Sequence, residues 1–188
     1  MEPMVLDPAI GTLMLASVAL LFASAAAHKL RNFQRFDEIV SAYGLLPAAL
    51  VAVNVRPRIS LLVPVLEIMV AAGLAVNGSR PYAAALGIAM LSAYAAAIAV
   101  NLARGHRDLA CGCGGPDERR PIAAWMVWRN LVIAAIAAAA FAPWADRNLS
   151  ITDGFTIAFG LATVALIYLC TDQLLGNAQR SAQLRGSR

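Results

Sequence analysis

Asn101-Leu102-Ala103-Arg104-Gly105-His106-Arg107-Asp108-Leu109-Ala110-Cys111-Gly112-Cys113-Gly114-Gly115-Pro116 separates two long apolar runs and carries two of the chain's three cysteines and one of its two histidines. Glycine favours turns and proline lacks the N–H that a helix interior needs, so Cys-Gly-Cys followed by Gly-Gly-Pro cannot extend the run before it. The flanking runs are long enough to cross a bilayer. The spacing therefore predicts two thiols on a tight loop at a membrane face.

Working outward, composition supports the same class. The chain has 188 residues, of which 60% are hydrophobic and 14% charged, with a mean hydropathy of +0.68. Soluble domains sit near 45–50% apolar and about 25% charged, so this is an integral membrane protein without room for a separate soluble domain. The net charge of +4 does not indicate nucleic acid, because the arginines flank apolar runs and form no basic stripe with interleaved aromatics. Met1 to Pro8 carries Glu2 and Asp7 but no basic residue, which is the wrong flank for a secretory signal peptide. The first run is expected to be a retained span.

Five runs read as spans, at about 9–27, 59–76, 82–102, 122–141 and 154–175. Between the first two, an uncharged run is broken by Gly44 and Pro47 and bracketed by Asp37, Glu38, Arg56 and Arg58. It reads as a re-entrant or interfacial segment, with a short kinked span as the alternative. The predicted fold is an all-α integral membrane bundle of about five transmembrane helices, four of them core spans, with the re-entrant or interfacial segment at 36–55. Residues 1–176 form one transmembrane domain, and 177–188 a disordered basic tail.

Twelve basic residues fall on the face of the thiol loop: Lys29, Arg31, Arg35, Arg56, Arg58, Arg104, Arg107, Arg119, Arg120, Arg180, Arg185 and Arg188. Only Arg80 and Arg147 fall on the other. The positive-inside rule assigns the first face to the cytoplasm. Thiol oxidation in bacteria belongs outside the cytosol, which keeps thiols reduced. The two arguments point to opposite faces.

Two cysteines one residue apart close only a small ring, whose disulfide is readily reduced and so suits a relay better than a staple. Arg104, His106 and Arg107 are near enough in sequence to favour the thiolate, the attacking species. Two alternatives stand beside redox chemistry. One is a thiolate metal site, for which only His106, His28 and Cys170 are further donors, without zinc-site spacing; the other is inert cysteines in a glycine turn. Cys170, near the end of the last span, reads as a small apolar residue or as a resolving thiol. Glu67, halfway along its span, is expensive in lipid and marks either a functional site or a buried ion pair with Lys29 or Arg129.

Asn-Leu-x-Arg-Gly-His-Arg from Asn101, then Cys-Gly-Cys-x-Gly, then Trp128-Arg129-Asn130, resembles the methylamine utilisation protein MauE family, within the wider DoxX-like group of redox-associated membrane proteins. His28-Lys29-Leu30, Tyr43-Gly44-Leu45-Leu46-Pro47 and Val63-Pro64-Val65-Leu66-Glu67 look like that family's first half. The resemblance covers about 13–140. It implies a multi-pass bacterial plasma-membrane protein that assists disulfide formation in methylamine dehydrogenase or a similar extracytoplasmic enzyme. Implied partners are the lipid bilayer, a thioredoxin-like protein and the amine dehydrogenase small subunit; no cofactor, metal or nucleic acid is implied. By match to the motif, Cys111 and Cys113 would be the redox pair of a thiol–disulfide oxidoreductase, supported by Arg104, Gly105, Arg129 and Asn130. The chain departs from the family in having Gly114 where a bulky apolar residue is usual, and in setting Asp108 back from the first cysteine. Rival readings are a non-enzymatic scaffold of a maturation complex, and a small-molecule or metal transporter using Glu67.

Overall fold

The computed structural model describes residues 5–44, 56–112 and 121–186. Among these the secondary structure is helical: α1 (Pro8–Arg31), α2 (Phe33–Ala42), α3 (Arg56–Ala75), α4 (Arg80–Ala103), α5 (Ala124–Ala137), which tightens into a 3-10 turn at Ala138–Phe141, and α6 (Ile151–Gly186). Five helices are long and apolar enough to span a bilayer: α1, α3, α4, α5 with its 3-10 turn, and α6. In lipid a helix satisfies its backbone internally, which is why uninterrupted apolar runs take this form. The chain is an all-α membrane protein with five spanning helices among its described residues.

Local chemistry sets the helix ends. Asp7 caps α1 by accepting from the Ala9 amide at 2.8 Å, and Pro8 occupies the first turn, where its missing N–H is harmless. Arg147 then joins the starts of α1 and α6, reaching Asp7 at 2.8 Å and Asp153 at 2.7 Å. Leu6 pairs with the segment after α5, its amide donating to the Pro143 carbonyl at 2.8 Å. These contacts gather the face opposite the thiol loop.

Helices α1, α3, α4 and α5 pack around Leu15, Val18, Phe22, Val70, Leu74, Met90, Leu91 and Ala134. Close approach comes from small residues, as expected where lipid is as apolar as leucine. A Cβ on Gly73 would lie 2.7 Å from that of Ala83, which brings α3 against α4. Large apolar residues on the outside, such as Leu20, Leu62, Met69 and Val132, are exposed and suit lipid.

The structure bears on three further points. The segment at 36–55 begins with α2, a ten-residue helix too short to cross a bilayer; residues 45–55 lie outside the described residues. The disordered tail expected from 177 is not seen, because α6 runs on to Gly186. Its sequence, with two each of Ala, Gln and Arg over 177–186 and no proline, favours continuation. Finally, α6 stands apart from the core. None of its most apolar stretch is buried, and it leans chiefly on α1, with Gly160 against Leu13.

Candidate functional site

The connector after α4 is shaped by its glycines and closed at its base. Gly105 has φ +81° and Gly112 has φ +64°, conformations that side-chain-bearing residues rarely hold. Ala110 bridges to Pro121, and the Ile122 amide donates to the Leu109 carbonyl at 2.9 Å, so the loop leaves and re-enters the bundle at one point. Beneath it lies a small apolar cluster of Ile98, Ile122 and Met126, packed by Leu102, Leu109, Trp125 and Cys111.

Cys111 is disulfide-bonded and partly buried. The Tyr43 hydroxyl, just past α2, donates to its carbonyl at 3.2 Å. Burial pushes that phenol up to about 12, so it remains a donor across the physiological range. At Gly112 a Cβ would meet Ile39 of α2 at 3.0 Å. The loop is thus seated on α2, the element that does not span. Cys113 lies outside the described residues.

Cys111 and Gly112 border an apolar cavity of about 180 Å³, lined also by Phe36, Ile39, Val40 and Tyr43 of the α2 region, Val63 of α3, Tyr94, Ala97 and Ile98 of α4, and Lys29. Lys29 is only 5% exposed. A lysine near a membrane surface ordinarily snorkels outward, and the His28-Lys29-Leu30-Arg31 cluster suggests that. Instead its ammonium turns inward to a buried ion pair with Glu67 Oε1, the same oxygen that accepts from Tyr94 at 2.9 Å. The rings of Phe36 and Tyr94 each lie 5.4 Å from Nζ, within cation–π range. Glu67 Oε2 is buried without a hydrogen-bond partner among the described residues.

On the other side of this pair lies a smaller cavity of about 70 Å³, reaching Arg129, Asn130, Ile133 and Tyr168. Of the two partners that sequence offered Glu67, the structure selects Lys29. Arg129 reaches Asp172 of α6 at 3.5 Å and stacks over Trp125 at 5.3 Å. Asn130 is buried and its Nδ2 has no partner among the described residues.

The remaining candidates lie apart from the cavity. Arg104 ends α4 and is exposed, as are Gly105 and His106; His106 Nδ1 lies 3.4 Å from Asn101 Oδ1. Cys170 is a free, exposed thiol on α6, a partner neither of Cys111 nor of the buried ion pair. Among the described residues no three His, Cys, Asp or Glu side chains gather as a metal would require. Tyr43, Phe36, Ile39 and Tyr94 are among the lining residues that sequence reasoning missed as site residues. The only signal was the position of Tyr43 beside a glycine in a stretch already notable for its resemblance to a family.

Comparison with known proteins places the chain. The family model for methylamine utilisation protein MauE matches residues 7–143. The chain is 37% identical over 161 residues to the methylamine utilization protein MauE of Paracoccus denitrificans, covering 85% of this chain and 83% of that one. To the protein of that name from Methylophilus methylotrophus it is 34% identical over 178 residues, covering 94% and 91%. To that of Methylorubrum extorquens it is 33% identical over 164 residues, covering 87% and 84%. No solved structure matches.

Proposed function

We infer the function from a family assignment: the chain belongs to the methylamine utilisation protein MauE family, and it is a multi-pass membrane protein. We propose that Cys111 and Cys113 form a redox-active disulfide that passes oxidising equivalents to a thioredoxin-like partner during maturation of methylamine dehydrogenase or a similar extracytoplasmic enzyme. The observation that carries this reading is the disulfide-bonded state of Cys111, on a loop clasped by Tyr43 and Ile39 at the mouth of an apolar cavity.

The chemistry follows from thiolate exchange. A thiolate of the partner attacks one sulfur of the pair, the S–S bond breaks, and its electrons remain on the other cysteine, which takes up a proton. The partner's second thiolate then attacks its own sulfur in the mixed disulfide and releases the first cysteine. Two electrons and two protons have moved from the partner's dithiol to Cys111 and Cys113. A loop anchored at one point, with glycines at φ +81° and +64°, supports this role by giving Cys111 a fixed seat at its base.

Cells carrying Cys111→Ser with Cys113→Ser test it. The relay is expected to fail, with the small subunit of the maturing dehydrogenase accumulating in its reduced form and growth on methylamine lost. Normal oxidation of that subunit in the double variant contradicts the proposal and leaves a scaffold.

A further inference from the structure

Resting on that reading, each round leaves the cysteine pair reduced, and an acceptor must remove two electrons and two protons before the next. We propose that this acceptor is a lipid-soluble quinone whose ring enters the cavity between Cys111 and Lys29. The acceptor has to meet a thiol pair in a protein built almost wholly of spanning helices, which favours a molecule dissolved in the bilayer. The cavity holds about 180 Å³, whereas an apolar cavity of about 150 Å³ suffices to bind benzene, so a substituted six-membered ring fits. The walls contributed by Phe36, Ile39, Val63 and Ile98 match a flat apolar ring.

One polar feature separates a quinone from an acyl chain. Lys29 lines the cavity and is 5% exposed, and its ammonium has three N–H donors and, among the described residues, one hydrogen-bond acceptor, Glu67 Oε1. A quinone carbonyl supplies the further acceptor, and an ammonium beside it stabilises the negative charge that develops as the ring is reduced. A hydrocarbon tail offers neither.

The step balances. One thiolate of the reduced pair adds to the quinone ring, forming a C–S bond. The second thiolate attacks that sulfur, the S–S bond forms, the C–S bond breaks, and its electron pair stays on the ring. The two protons lost by the thiols complete the hydroquinone. The dithiol is oxidised by two electrons and the quinone reduced by two.

The test uses the full-length protein in lipid nanodiscs, reduced, freed of reductant and kept anaerobic. It is mixed with a fully substituted benzoquinone bearing a short isoprenoid tail, which resists irreversible thiol addition. One quinone reduced per protein, with loss of two maleimide-reactive thiols, is expected. Ala97→Phe, which fills the cavity from α4, is expected to slow this at least tenfold in protein that keeps its parental helix content by circular dichroism. Thiols that stay reduced with quinone, or an equal rate in folded Ala97→Phe, overturn the quinone site while the exchange reading stands. Failure of the parental disulfide to exchange with dithiothreitol overturns the exchange reading itself.

Discussion

The Lys29–Glu67 pair shows how one residue can be costly and fixed at once. Both ends are buried, and a buried charge left without its partner costs about 3–5 kcal/mol. Glu67→Gln is expected to destabilise the protein by about that amount in detergent unfolding, and Lys29→Met with Glu67→Leu by much less than the sum of its single changes. Tyr43→Phe removes one hydrogen bond, worth about 1 kcal/mol, and should speed hydrogen exchange at residues 109–112 about fivefold. Gly112→Ala combines a left-handed backbone with displacement of Ile39, and about 1–2 kcal/mol is expected from the two together. At this scale Cys111 and Glu67 were legible because thiols beside glycine and a carboxylate in an apolar run violate local expectation. The choice of Lys29 over Arg129 was not, since both flank spans and only helix rotation decides which points inward. Tyr43 and Tyr94 were invisible because an aromatic residue in a membrane sequence is ordinarily packing or interface.

Among elements, the spanning helices were legible from apolar length, and the structure moves their ends by only a few residues except at the C-terminal end of α6. The role of α2 was not. A ten-residue helix with Phe36 inward and polar residues outward carries no label saying that it will floor a loop 70 residues later. The length of α6 was misread because polar composition was taken for disorder, whereas its residues favour helix once a span precedes them. Packing between α3 and α4 depends on Gly73, whose missing Cβ leaves room for Ala83. Gly73→Ala should cost about 1–3 kcal/mol in thermal unfolding by overpacking, and Gly73→Ala with Ala83→Gly should recover most of it. Equal destabilisation in the double variant contradicts this account of the helix contact.

For the molecule as a whole, charge and chemistry divide between two faces. On the face away from the loop, Arg147 hydrogen-bonds Asp7 and holds its carboxyl below the ordinary 3.8. A lowered carboxylate stabilises the fold above its ordinary value, and the contribution fades as pH falls through the lowered one. A modest loss of thermal stability is expected on acidification below pH 3.8, weaker in high salt and smaller in Arg147→Gln, where the Ala9 amide still favours the carboxylate. On the loop face the basic residues argue for the cytoplasm, against the outward orientation that disulfide donation requires. Labelling intact cells of a Cys170→Ser strain with a membrane-impermeant maleimide, before and after reduction, tests the relay most directly. The expected result is no labelling before reduction and two labels per chain after it. Labelling without reduction, or labelling only after lysis, contradicts an outward-facing disulfide at Cys111 and Cys113.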